Sequence, residues 1–144
     1  MGRAPFTGAP SAAFERPGGA EGRGRLSRAE GGRGEEAACK LLRRSGYRIL
    51  ERNYRGPRYE VDIIAQEGAV LAFVEVKTRM PGEEESGLLA VGHEKRRRIG
   101  RAAEHYLLTH PEAREAPCRF DVVLVEATPG GRPRAKQLMR DAFR

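Results

Sequence analysis

The sequence predicts an α/β domain whose central sheet of about four strands is flanked by helices, in the order αβββαβ. Two β-branched runs, Tyr59–Ala65 and Val70–Thr78, joined by a short polar loop with a glycine, give a hairpin. Apolar residues at helical spacing recur before this hairpin and again after it. A nearly continuous apolar run, Arg119–Glu126, has the pattern of an interior strand.

Taken in order, residues 1–26 hold most of the prolines and little that can form a core, and are expected to be a disordered basic leader before a domain spanning 27–144. Ser27 and Glu30 have capping-box spacing, but Gly31, Gly32 and Gly34 follow, so the first helix is expected to start anywhere from Ser27 to Gly34. Ala38, Leu41 and Leu42 mark its apolar stripe, and Gly46 ends it. Glu35 lies on that stripe, where a surface glutamate would more naturally face away; Glu36 serves the helix dipole equally well. Tyr47–Tyr54 is a first strand, with Tyr47, Ile49 and Glu51 alternating against Arg48, Leu50 and Arg52, and Gly56 and Pro57 turn it into the hairpin. Met80–Gly87 is polar, glycine-bounded and long enough for a flap. His93–Leu108 is the second helix, with Ile99, Ala102, Ala103, Tyr106 and Leu107 as its apolar stripe. Pro111–Pro117 is a loop, Thr128–Pro133 breaks the strand after Glu126, and Gln137–Phe143 is expected to form a short terminal helix laying Leu138, Met139, Ala142 and Phe143 on the core.

A chain of 144 residues is one domain's worth. Its 27 Lys and Arg against 20 Asp and Glu leave a net charge of +7, which favours a polyanionic partner such as nucleic acid. No apolar run approaches the roughly 18 residues of a membrane span, and the N-terminus lacks the apolar core of a secretory signal, so a cytoplasmic protein without a membrane partner is expected. Cys39 and Cys118 have no cysteine or histidine at metal-ligand spacing, and His93, His105 and His110 are scattered, which argues against zinc or a Cys/His nucleophile.

The hairpin carries the chemistry. Alternation puts Glu60 and Asp62 on one face of their strand, with Val61, Ile63 and Ala65 on the other; Glu75 and Lys77 share a face opposite Val74 and Val76. Same-face residues are roughly 6.6 to 7 Å apart along a strand and neighbouring strands about 4.8 Å, so the acids can converge on one small cation. Like charges brought together out of water need a positive partner: Lys77, a hard divalent ion such as Mg2+, or both together. An ordinary cross-strand ion pair is the competing reading. Lys95, Arg96, Arg97, Arg98 and Arg101 crowd the first half of the second helix, where cations oppose the dipole; phosphate contact explains them, as does a solvated charged face.

The order of acid, about a dozen residues, then Glu-x-Lys resembles the signature of the PD-(D/E)XK nuclease superfamily. More of the chain resembles the YraN-like family, predicted nucleases with a Holliday-junction-resolvase-like, restriction-endonuclease-like fold. The matching residues are Gly34 and Glu35 followed by Ala38 and Leu42, Gly46–Leu50, Arg52–Arg55, Glu60–Ile64, Phe73–Arg79, Lys95 with Arg98 and Ile99, Arg119–Val123, and Ala142 with Phe143. The family usually has glycine where this chain has Tyr59, which bears on pocket shape, and the leader has no recognised counterpart. The resemblance implies a mixed sheet and a Mg2+- or Mn2+-dependent endonuclease acting on DNA, branched or structured. It implies Asp62 and Glu75 as metal ligands, Lys77 as the catalytic residue that orients or helps deprotonate the attacking water and stabilises the phosphorane-like charge, Glu35 as an accessory acid reaching in from the helix, and Glu60 as a less certain second acid. Arg55, Arg79, Lys95, Arg96 and Arg98 would contact phosphates, and analogy with resolvases implies a homodimer. A catalytically silent nucleic-acid-binding protein of the same fold and a structured-RNA nuclease stay open as alternatives.

Overall fold

A computed structural model describes residues 28–82 and 91–143. The expected leader and residues 83–87 of the expected flap lie outside the described residues. Helix α1 runs over Arg28–Arg44, followed by strands β1 (Arg48–Gly56), β2 (Tyr59–Glu67) and β3 (Val70–Arg79), helix α2 (His93–Thr109), a 3-10 turn at Pro111–Ala113, and strands β4 (Cys118–Glu126) and β5 (Arg134–Phe143). The five strands form one sheet in the order β1-β2-β3-β4-β5, with β3 and β4 parallel and the other neighbours antiparallel. The parallel pair follows from connectivity, because α2 crosses over between them.

The sheet has a core on each face. On one side Ala38, Cys39 and Leu42 of α1 pack against Ile63, Ala65, Val74, Val76, Val123 and Val125. On the other, Ile99, Ala102, Ala103 and Tyr106 of α2 pack against Val61, Ile64, Leu71, Phe73 and Val122. α1 starts ahead of its three glycines and runs through them. At Gly34 a β-carbon would stand 3.1 Å from the Thr78 hydroxyl, so the glycine lets the helix lie close on β3. α1 ends in a Schellman motif: the Gly46 N–H donates to Arg43 O (3.1 Å) and the Tyr47 N–H to Leu42 O (2.9 Å), with Gly46 at φ +94°. Gly46→Ala should cost about 1 kcal/mol, seen as a lower denaturation midpoint at unchanged slope.

Three expectations are corrected. The sheet has five strands, because Gln137–Phe143 lies in β5 and is not a terminal helix. Its register against β4 shifts twice, between Phe120 and Val122 and between Leu124 and Val125, and Asp141 has φ +53°. These irregularities break the two-residue alternation, leaving apolar residues at spacings that imitate a helix stripe. In β1 a bulge between Ile49 and Glu51 inserts Leu50, which packs on the α2 side while Arg52 reaches Glu36 of α1, so Leu50 and Arg52 do not share a face. In β2, Val61 packs on the α2 side but Ile63 and Ala65 pack on the α1 side; alternation slips at Asp62.

At the end of the sheet where β3 begins, the fully buried Asp121 accepts hydrogen bonds from the Tyr47 hydroxyl (2.7 Å), Arg119 Nε (2.9 Å) and the Asp141 N–H (2.9 Å). This satisfied carboxylate ties β4 to β5 and to the α1–β1 junction.

Candidate active site

The β2–β3 ladder runs from Glu67↔Val70 to Ile63↔Val74 and its regular pairing goes no further. One residue beyond, Asp62 Oδ2 accepts the backbone N–H of Val76 at 2.8 Å, so a side chain takes the place of a main-chain acceptor where the strands part. Asp62 is 3% exposed and Glu75, beside it on β3, is 2% exposed. Glu75 is pushed up to about 8, first by burial and then by the negative charge of Asp62, to which its carboxyl also hydrogen-bonds; Lys95 and Lys77 pull the other way. Glu75 therefore keeps its proton near neutrality, on the side that faces Asp62. Glu75 Oε2 is buried without a hydrogen-bond partner, and the Lys95 ammonium stands 3.7 Å away.

Glu60 takes a different role from that of its neighbours on β2. Lys95 Nζ approaches its Oε1 at 2.5 Å and Arg98 Nη1 at 3.5 Å, and Arg55 Nη2 lies 3.7 Å from Oε2. Three of the expected phosphate contacts are thus gathered around one acid at the rim of the Asp62–Glu75 pair. Arg79 is held by Glu126 at 2.8 Å, and Arg96 donates to Val91 O (2.9 Å) with its guanidinium over the Phe143 ring. Lys77 is half-buried and its charge acts on Glu75. Tyr59 lies across Gly56 and stacks on His105 at 4.8 Å, so its bulk is placed against β1 and α2.

Glu35 stands apart from the buried pair. Its Oε2 accepts from Asn53 Nδ2 of β1 at 2.8 Å, and among the described residues no three His, Cys, Asp or Glu side chains come close enough to hold one metal ion. The structure therefore brings together Asp62 and Glu75 with the charges of Lys77 and Lys95, and connects Glu35 through Asn53. Asn53 and the proximity of Lys95 to Glu75 were not foreseen; an asparagine in a strand, the non-glycine residue most tolerant of left-handed backbone, was the available signal for the first. On the α1 side an open cleft of about 940 Å3 lies between the helix and the β4–β5 turn, lined by Arg33, Lys40, Thr78, Met80 and Arg132 among others.

Two buried carboxylates with one oxygen unsatisfied fit a hard divalent ion, since Mg2+ takes one or two carboxylates and completes its shell with water and phosphate oxygens. Comparison with known proteins gives a family: a model of the uncharacterised protein family UPF0102 matches residues 34–125. The chain belongs to UPF0102. Among UPF0102 relatives, a protein of Symbiobacterium thermophilum is 48% identical over 124 residues, covering 82% of this chain and 98% of its own. One from Magnetococcus marinus is 42% identical over 113 residues (78% and 90%), and one from Desulfosudis oleivorans 45% over 113 (78% and 88%). The UPF0102 match spans most of α1, all of β1 to β3 and α2, and most of β4, and therefore Glu35, Glu60, Asp62, Glu75, Lys77 and the cations from Arg55 to Arg98. No helix among the described residues is long and apolar enough to cross a membrane.

Proposed function

We propose that this UPF0102 chain is a Mg2+- or Mn2+-dependent endonuclease of restriction-endonuclease-like fold that hydrolyses phosphodiester bonds in branched or structured DNA, acting in the cytoplasm as a homodimer. The observation that carries this reading is the buried Asp62–Glu75 pair at the point where β2 and β3 part, with an unsatisfied oxygen on Glu75 and two lysines close by. An acid pair left to itself there is a net cost to the fold, and a cation offsets it.

Asp62 and Glu75 would hold the metal, giving up their shared proton to do so. The chemistry a divalent ion supplies when bound is polarisation of the phosphoryl oxygen and easier ionisation of the attacking water. Lys77 would orient the attacking water and stabilise negative charge on the attacked phosphate. Glu35, held by Asn53, is an acid for orienting the water. Glu60 acts by gathering Arg55, Lys95 and Arg98, which can exchange its carboxylate for a phosphate. The α1-side cleft adds Arg33, Lys40 and Arg132 to the phosphate path. Replacing these three by glutamine should lower the salt dependence of DNA binding, cutting the slope of log K against log salt by about 0.9 per lost contact in fluorescence anisotropy titrations.

A second reading is a silent nucleic-acid-binding protein of the same fold, favoured by the Lys95 ammonium, which already supplies a positive charge beside Glu75. A gel assay on branched, duplex and single-stranded DNA and on structured RNA, with Mg2+, Mn2+ or EDTA, separates the readings. Metal-dependent cutting of branched DNA supports the proposal, cutting of RNA alone moves the substrate, and binding without cutting of any substrate favours the silent protein.

A further inference from the structure

Asn53 and Asp62 stand opposite one another, between the pairs Arg52↔Ile63 and Tyr54↔Val61. In a regular antiparallel ladder these two flanking pairs, two residues apart, share a face. Here they do not: Val61 and Tyr54 pack on the α2 side, whereas Ile63 packs against α1 and Arg52 donates to Glu36 of α1. The edge of the sheet turns over at this position, and Asn53 has φ +54°, left-handed backbone that non-glycine residues rarely adopt. The turn lets consecutive residues Arg52 and Asn53 both reach α1, to Glu36 and Glu35 respectively. The second amide atom, Asn53 Oδ1, is buried without a hydrogen-bond partner. A sparsely populated backbone and an unsatisfied buried oxygen at one residue do not serve stability, and such features gather at working sites.

We infer that Asn53 is a positioning residue for the acid pair: its left-handed turn aims Asp62 across the opening to β3, and its amide holds the Glu35 carboxylate of α1 against the same residue of β1. This rests on the metal-dependent reading above. The same slip accounts for both halves of the site. On β2 it frees Asp62 from the ladder to accept the Val76 N–H beside Glu75; on β1 it directs an amide donor at the one candidate acid that comes from a helix.

The discriminating substitution is Asn53→Gly, which accepts the left-handed backbone without strain and removes only the amide. Its melting temperature should stay near that of the unaltered chain, whereas Asn53→Ala, strained at the same φ, should melt lower. Calorimetric titration with Mn2+ alone should show affinity weakened on the order of 10- to 100-fold in Asn53→Gly, the range for loss of a group that orients a metal site. Glu35→Gln should weaken it similarly, and the double variant little further, because the asparagine acts through the glutamate. Mn2+ affinity in Asn53→Gly equal to that of the unaltered chain, or losses that add in the double variant, would overturn the positioning role while the proposed function stands. No Mn2+ binding by the unaltered chain would remove the metal reading itself and this role with it.

Discussion

Asp62→Asn is expected to reduce metal-dependent cleavage by roughly a thousandfold, equivalent to about 4 kcal/mol of transition-state stabilisation, while leaving nucleic-acid affinity within a few fold. The substitution is nearly isosteric, and an asparagine oxygen can still accept the Val76 N–H that Asp62 now accepts, so the opening between β2 and β3 keeps its shape. What disappears is the charge. The amide nitrogen would face Glu75, donating where the native group shares a proton, and one of the two anionic ligands would be gone. Binding should change little because Asp62 is buried, while the cations proposed to meet phosphates lie at the rim around Glu60. Single-turnover cleavage beside equilibrium binding checks both halves; cleavage at the native rate would remove Asp62 from the chemistry.

The second large effect concerns stability. Glu75 titrates at about 8 in the folded chain, against an ordinary value of 4.5. Between those values the folded state retains a proton that the unfolded chain releases, so metal-free stability is greatest below the lower value and falls as pH rises through the upper one, by a few kcal/mol in all. Glu67 works in a separate window: the hydrogen bonds from Arg140 and then Arg119 outweigh its partial burial and hold it down at about 2, so its contribution is present above 4.5 and is lost on acidification. Metal-free protein should therefore be most stable near pH 4.5 to 5 and weaken toward pH 8. Glu75→Gln should flatten the alkaline side and raise stability at pH 8, and Mg2+ at pH 8 should raise the melting temperature of the native chain but not of this variant. Urea titrations across pH, with and without Mg2+, measure all of this. A native profile flat from pH 5 to 8 would contradict the buried pair.

The central hairpin was legible because β-branched runs around a glycine-containing loop leave few alternatives, and the register set by its short turn, Glu67↔Val70 to Ile63↔Val74, leads to Asp62 and Glu75 as the next residues on the two strands. The two helices were legible from their apolar stripes, whose residues Ala38, Leu42, Ile99, Ala102 and Tyr106 are all buried. β5 was not, since two register shifts and the left-handed Asp141 erase its period. Nor was the turnover at Asn53 and Asp62, because a single residue's backbone angle leaves no mark on a hydrophobicity pattern. Lys95 read as one of a row of phosphate contacts; that it reaches both Glu60 and Glu75 depends on where α2 crosses the sheet, a tertiary fact. Glu35 was singled out by its place on the buried stripe of α1, and its bond to Asn53 could be known only once β1 was docked against that helix.

Diffraction from crystals grown with Mn2+ tests the central claim most directly. One anomalous peak between the carboxylates of Asp62 and Glu75, with the proton-sharing contact opened, is the predicted result. Carboxylates still bonded to each other, with no peak near Glu75 Oε2 and Lys95 in its place as the positive partner, would contradict it.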